Sequence, residues 1–273
     1  MHILSEILEA KRARVEAAKR QVPPAVLQRN ATLLREGVQP HRLRRAVETP
    51  DRVNIIAEFK RRSPSRGTIR VDRSAGEIAQ LYRAGGAVAV SVLTEQDYFG
   101  GTLDDLSQVR RTVSLPVLRK DFIFEEYQVF EAAVAGADAV LLIVAALNDE
   151  ALLRLRHLAE AELGLDALVE VHTVEELERA MLCGAKLIGV NNRDLTTFEV
   201  SLNTSEQLAV AAPEDVVLIS ESGLRTSDDL SRLRALGYSG FLIGEALMLA
   251  EHPEEELRAL VGDFLERSDA TQL

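Results

Sequence analysis

The chain has one cysteine, Cys183, in 273 residues. A single thiol permits no internal disulfide and no cysteine-based zinc site, and its place at an Ala/Leu-rich helix end suits a small buried residue better than a nucleophile. Lysine is nearly as scarce: Lys11, Lys19, Lys60, Lys120 and Lys186 are the only five, and every other cation is arginine. The position of each lysine is therefore informative. Long apolar runs are missing too, since no stretch approaches the roughly 18 residues a membrane helix needs. A surplus of positive charge is absent: the net charge of −11 argues against a nucleic-acid binder, although a local basic spot can still hold a small phosphate. The opening MHILSEILEAKRARVEAAKR breaks its apolar positions with charges, unlike a secretory signal. A cytoplasmic protein without membrane partners is expected.

What is present is the composition of a globular protein, 47% hydrophobic and 27% charged, with a length that suits one large α/β domain. Eight short β-rich runs recur: VNIIAEF (53–59), AVAVSVL (87–93), LPVLRKD (115–121), DAVLLIV (138–144), LDALVEV (165–171), KLIGVNN (186–192), VVLISES (216–222) and GFLIGEA (240–246). Most of the intervening segments carry a helical apolar period, as in SAGEIAQLYRAGG and TVEELERAMLCGA, so strand and helix alternate and the sheet should be parallel. Helix ends pass through Gly86, Gly136, Gly184 and Gly237 into strands, at separations of 50, 48 and 53 residues. Two strand-helix units per period and four periods give the eight strands that close a (β/α)8 barrel. The alternative, an open doubly wound sheet, would normally show a G-x-G-x-x-G turn, and none occurs. One domain is expected over 1–273, with residues 1–48 a helical extension packed on the barrel and 268–273 a frayed tail. Within the extension, residues 3–19 have a helical pattern that Pro23 and Pro24 break, and HRLRRAV (41–47) forms another short helix.

The strand ends carry the chemistry. Alternate side chains of a strand share a face, so Ile56, Glu58 and Lys60 point one way and Ala57 and Phe59 the other. Near the C-terminal end of a barrel strand the inward face meets the mouth, where the active sites of such barrels lie. The same alternation places Leu118 and Lys120 in the third strand, Leu168 and Glu170 in the fifth, Gly189 and Asn191 in the sixth with Arg193 beyond, Ile219 and Glu221 in the seventh, and Leu242 and Gly244 in the eighth. Six strands converge on one rim with two of the five lysines. A cluster of lysines and carboxylates can hold acids and bases near neutral pH; the structural alternative is an ion-pair ring that closes the barrel. The turns ESG (221–223) and IGEALM (243–248) suggest an anion site in which Gly223 and Gly244 allow close backbone approach and Ala246 to Leu249 form a small extra helix. SPSRG (63–67) is a further binding loop or a plain turn.

Taken in order, IAEFKRRSPSRG, SVLTEQDYFGG, PVLRKDF, VEVH, IGVNNRDL, ISESG and IGEALM resemble the indole-3-glycerol phosphate synthase family from Val53 to Leu249, and the N-terminal extension resembles that family's. The resemblance implies a carboxy-lyase of tryptophan biosynthesis that closes 1-(2-carboxyphenylamino)-1-deoxyribulose 5-phosphate into indole-3-glycerol phosphate with loss of carbon dioxide and water, using no cofactor or metal. Carried across, Lys120 is the acid of ring closure and Glu170 an acid or base. Lys60 contacts the substrate's charged groups and can serve as an acid for hydroxide loss, while Glu58 orients a lysine. Asn191, Glu221 and Ser222 position hydroxyls or the carboxylate. Arg193 meets the anthranilate carboxylate or a glutamate. Ser63 with the backbone of Gly223, Gly244 and Glu245 receives the phosphate, the Glu245 side chain pointing away. Phe99, Phe122 and Leu195 match the walls of the aromatic pocket. The division of protons between Lys60 and Lys120 stays open, and a monomer is expected with a homodimer as the alternative. Competing readings are a phosphoribosylanthranilate isomerase, a Schiff-base aldolase with Lys60 or Lys120 as nucleophile, and a barrel that only senses a phosphorylated metabolite.

Overall fold

The computed structural model describes residues 3–50 and 52–270, with side chains as far as residue 262. Eight parallel strands close into a barrel: β1 (Ile55–Phe59), β2 (Ala89–Leu93), β3 (Val117–Lys120), β4 (Ala139–Ile143), β5 (Asp166–Val171), β6 (Leu187–Asn191), β7 (Val217–Glu221) and β8 (Tyr238–Ile243), with β8 returning to pair with β1. Between them lie α4 (Ala75–Ala84), α5 (Leu103–Thr112), α6 (Glu126–Ala135), α7 (Asp149–His157), α8 (Val174–Leu182), α9 (Asn203–Ala211) and α10 (Ser227–Ala235), and after β8 come α11 (Glu245–Leu249) and α12 (Pro253–Ala270). Local sequence sets several starts. Ser74, Thr102 and Thr226 each accept a hydrogen bond from the backbone of the third helical residue, whose carboxylate reaches back to the cap, which satisfies amides that a helix start leaves unpaired.

Strand alternation sorts the apolar residues into two cores. Ile56, Leu118, Leu168, Ile219 and Leu242 fill the barrel interior, whereas Ile55, Ala57, Phe59, Val169 and Leu218 pack outward against the helices. Both cores are almost free of water-exposed surface, so burial of these side chains is the main force holding the strands.

The extension does more than pack on one side. Its helices are α1 (Ile3–Gln21), α2 (Pro24–Arg35) and α3 (Arg42–Val47). Pro24 opens α2 instead of merely ending α1, because a proline in the first turn gives up no helical hydrogen bond. Leu43 and Val47 of α3 join the inner core from the N-terminal ends of the strands, while Ile3, Leu4 and Ile7 of α1 reach the cavity at the other end. The extension thus clasps the barrel at top and bottom.

Two boundaries differ from expectation. The eighth strand runs Tyr238–Ile243, so Gly244 is not a strand residue but the cap of α11, which begins at Glu245. The tail expected over 268–273 is helical as far as Ala270, and residues 271–273 lie outside the described residues. The SPSRG loop folds into a small antiparallel hairpin that pairs Arg62–Ser63 with Gly67–Thr68.

Candidate active site

The C-terminal strand ends surround a cavity of about 450 Å3, and every residue singled out from the sequence lines it: Glu58, Lys60, Ser63, Phe99, Lys120, Phe122, Glu170, Asn191, Arg193, Leu195, Glu221, Ser222, Gly223, Gly244 and Glu245. Three ion pairs made by two lysines organise the floor. Lys120 Nζ donates to Glu170 Oε2 at 3.0 Å and lies 2.9 Å from Glu221 Oε2, while Lys60 Nζ lies 3.0 Å from Glu58 Oε1. Glu221 meets only the Lys120 ammonium, through Oε2, and its other oxygen, Oε1, is buried with no partner among the described residues. A buried carboxylate left in this state is poised for a proton or a ligand.

The electrostatics follow from the geometry. Burial alone would strip Lys120 of its proton, but the carboxylates of Glu170, Glu221 and Glu58 outweigh it and its pKa is raised. Burial pushes Glu221 up to about 7 against the pull of Lys120, with Glu170 and Glu58 adding repulsion. Glu170 is buried as deeply, yet Lys120, His172 and a hydrogen bond from Asn191 hold its pKa below the ordinary value. One carboxyl whose pKa is pushed up to about 7 therefore stands beside one held below the ordinary value.

Two glycines make room for this arrangement. A side chain on Gly189 would place its Cβ 2.2 Å from Glu221 Oε1, and one on Gly244 would lie 2.6 Å from Glu58 Oε1. Gly244, expected from the sequence to allow close backbone approach, is also required by the Glu58 side chain beside it. Gly223 differs, because its φ of +82° follows φ of +67° at Ser222, a left-handed pair that turns the chain sharply after β7. Asn192 Nδ2 clamps that turn by donating to Glu221 O and Ser222 O, both at 3.1 Å.

At the same side of the mouth, Arg66 Nε meets Glu245 Oε1 at 2.9 Å, so the Glu245 charge is turned to an arginine of the hairpin and its backbone is left for an anion. Across the cavity the Phe99 and Phe122 rings stand 6.1 Å apart, and Leu195 and Phe122 pack on the inner core. Arg193 makes no ion pair among the described residues; its Nη1 donates to Phe198 O at 3.2 Å and its backbone N donates to Asn191 Oδ1 at 3.0 Å. Of the two partners left open for Arg193, a glutamate does not pair with it among the described residues, and its remaining donors face the cavity side of the loop.

Sequence reasoning missed the charged layer around Asp121, which itself borders the cavity. Lys11 of α1 is buried and meets Asp121 Oδ1 at 2.7 Å, while Arg119 donates to Asp121 Oδ2 at 2.9 Å from the other side. Asp121 also accepts from its neighbour Phe122 N at 2.9 Å, so one carboxylate orients the segment that carries both Lys120 and Phe122. Its two cations overcome burial and hold its pKa down at about 2. Buried Glu95 accepts from the backbone N of Asp97, Tyr98 and Phe99 and so shapes the turn that presents Phe99. The scarcity of lysine marked Lys11 as worth attention, but its partner is 110 positions away in sequence. Cys183 is buried, with Sγ turned to Ala180 O, and burial raises its pKa, which leaves it inert. Among the described residues no group of three or more His, Cys, Asp and Glu side chains is arranged to hold a metal, and no helix is long and apolar enough to cross a membrane.

Solved structures with the same architecture include a thiamine phosphate pyrophosphorylase from Pyrococcus furiosus, with TM-score 0.59 and 16% identity over 79% of this chain and 96% of that one. Another is KGPDC from Streptococcus mutans, with TM-score 0.57 and 13% identity over 80% of this chain and 99% of that one. At such identities they speak for the fold alone. Sequence relatives say more. Indole-3-glycerol phosphate synthase of Carboxydothermus hydrogenoformans is 44% identical over 94% of this chain and 99% of its own, and that of Chloroherpeton thalassium is 48% identical over 92% and 96%. The family model for indole-3-glycerol phosphate synthase matches residues 4–260. With the relatives aligned over nearly their whole length and the acid-base cluster at the barrel mouth, the chain belongs to the indole-3-glycerol phosphate synthase family, carboxy-lyases of tryptophan biosynthesis whose substrate is a small phosphorylated molecule.

Proposed function

We propose that this cavity closes the ring of 1-(2-carboxyphenylamino)-1-deoxyribulose 5-phosphate by general acid and base catalysis. The observation that carries the reading is Lys120, held between Glu170 and Glu221 on the cavity floor. The ring carbon that bears the carboxylate attacks the ketone carbon while Lys120 gives a proton to the carbonyl oxygen. An ammonium whose pKa is raised is a weak donor to a neutral ketone but a competent one to the forming alkoxide, which is the stronger base. Carbon dioxide then leaves and returns its bonding electrons to the ring. In the dehydration an acid protonates the departing hydroxyl and a base removes a proton from the neighbouring methylene carbon, completing the indole. Lys60, tethered by Glu58, serves as that acid and Glu170 as that base. The sequence is written with proton transfers alone and takes no metal or cofactor.

Binding divides along the mouth. The walls of Phe99, Phe122 and Leu195 suit the aromatic ring, with Arg193 on its carboxylate. Asn191, Glu221 and Ser222 face the hydroxyls. Ser63 with the backbone of Ser222, Gly223, Gly244 and Glu245 suits the phosphate, because closely approachable amides bind anions. The reading places the enzyme in the cytoplasm, as a monomer or a homodimer, with no nucleic-acid or membrane partner.

The test is a fluorescence assay for indole formation from the carboxyphenylamino-deoxyribulose phosphate. Turnover with release of one carbon dioxide per indole is expected. A folded protein that leaves the substrate unchanged refutes the reading and makes the isomerase substrate the next to try.

A further inference from the structure

The VEVH segment ends in a histidine that the mechanism above does not use. His172 follows β5 directly, and Glu176 of α8 fixes it twice: Glu176 Oε2 accepts from the His172 backbone N at 2.7 Å and lies 3.1 Å from Nδ1. A carboxylate at that distance requires a proton on Nδ1. The other ring nitrogen, Nε2, is buried with no hydrogen-bond partner and lies 3.5 Å from Glu170 Oε1. Lys120 occupies the opposite oxygen of that glutamate. His172 does not itself line the cavity.

If Nε2 carried no proton, its lone pair would face a carboxylate oxygen across a buried gap, which is repulsive. A proton between them removes the repulsion. From this geometry we infer that His172 is a positioning residue: as an imidazolium gripped by Glu176, it holds Glu170 ionised and oriented from behind. The groups that face the ring agree in sign. Glu170 on β5, Glu176 on α8, Glu221 at the end of β7 and Asp194 in the loop after β6 are all carboxylates in its field. The opposing cation, Lys120, stands on the far side of Glu170. Burial works against the charged ring, yet the surrounding carboxylates prevail and the pKa of His172 is raised.

The consequence is a direction. Removing the imidazolium removes one of the two cations that keep Glu170 deprotonated, so the glutamate picks up its proton at higher pH. This rests on Glu170 acting as a base in the proposed ring closure, and the experiment separates the two. Indole formation is followed from about pH 3.5 to 9, a range that reaches below the ordinary glutamate pKa, in wild type, His172→Gln, His172→Lys and Glu176→Gln, with folding checked by circular dichroism at each pH. Inactive wild type would overturn the reaction itself and, with it, the role assigned to His172. With active wild type, His172→Gln is expected to move the acid limb of kcat upward by about one pH unit, lowering kcat about tenfold on that limb with KM within about twofold. His172→Lys, which returns a positive charge, is expected to recover most of the displacement. Glu176→Gln loosens the ring without emptying its place and is expected to shift the limb by less in the same direction, which provides the test should His172→Gln fail to fold. An acid limb unmoved in a folded, active variant overturns the positioning role.

Discussion

The two ends of the barrel are both built from buried carboxylates, and they treat them in opposite ways. At the bottom, Asp138 accepts from Arg42 Nη1 at 2.9 Å, Arg110 Nη1 at 2.7 Å and the backbone N of Val117 at 3.0 Å. Its neighbour Asp166 accepts from the backbone N of Leu43 and Arg44 at 2.8 and 3.0 Å and faces His41 at 3.1 Å. The donors come from α3 and the barrel itself, and none of these groups borders the cavity. At the top, Glu221 has the Lys120 ammonium 2.9 Å from one oxygen and no partner on the other, and Glu170 shares that lysine. The bottom is the ion-pair closure that a structural explanation of clustered charge demands. The top leaves acceptors unmet around a space large enough for a substrate. Buried charge stabilises a fold when its hydrogen bonds are complete and stores chemical potential when they are not.

The contrast can be broken first at the bottom. Asp138→Asn removes the charge facing Arg35, Arg42 and Arg110 and is expected to destabilise the fold by about 2–4 kcal/mol, toward the low end for a buried pair because Arg42 and Arg110 reach solvent. Urea denaturation measures this, and turnover per folded molecule should stay within about twofold of wild type. Loss of activity without loss of stability would erase the distinction between the ends.

A smaller effect of opposite sign is expected at the top. Glu221 has its pKa pushed up from 4.5 to about 7 in the fold, so the folded state holds its proton more tightly than the unfolded chain. Wild type therefore loses stability as pH rises from about 4.5 through 7, and the full penalty stands above that window. Glu221→Gln lacks the penalty and is expected to be more stable than wild type by roughly 1–3 kcal/mol at pH 8, with the gain shrinking toward pH 5. Thermal unfolding at the two pH values checks this. A variant less stable than wild type at pH 8 would mean that Glu221 belongs to a complete network after all.

Much of this contrast could be read in the sequence, and the part that could not has a common cause. Strand alternation places Glu58, Lys120, Glu170 and Glu221 on the inner face at the mouth because each follows an apolar inward residue two positions earlier, with Asn191 following Gly189 in the same register, and local periodicity needs no partner. The eighth strand was placed two residues late, since Tyr238 and Ser239 precede the glycine and apolar run that drew attention, and a cap glycine reads like a strand glycine. A second constraint on Gly244, the close approach of Glu58 186 positions away, is not visible in the sequence. The pairing of Lys11 with Asp121 and the plug formed by Leu43 and Val47 were likewise invisible, because side-chain contacts between distant segments leave no trace in a single sequence. The N-terminal extension read as a helical add-on; its contribution at both ends of the barrel appears only when the chain is folded.

The central claim, that the open network at the top is the reaction centre, is tested most directly by the turnover of Lys120→Ala in the indole-formation assay, with the urea midpoint measured on the same preparation. The account predicts a loss of about 10²–10⁴ in kcat in a protein that remains folded. Turnover within a few-fold of wild type in that folded variant would contradict it.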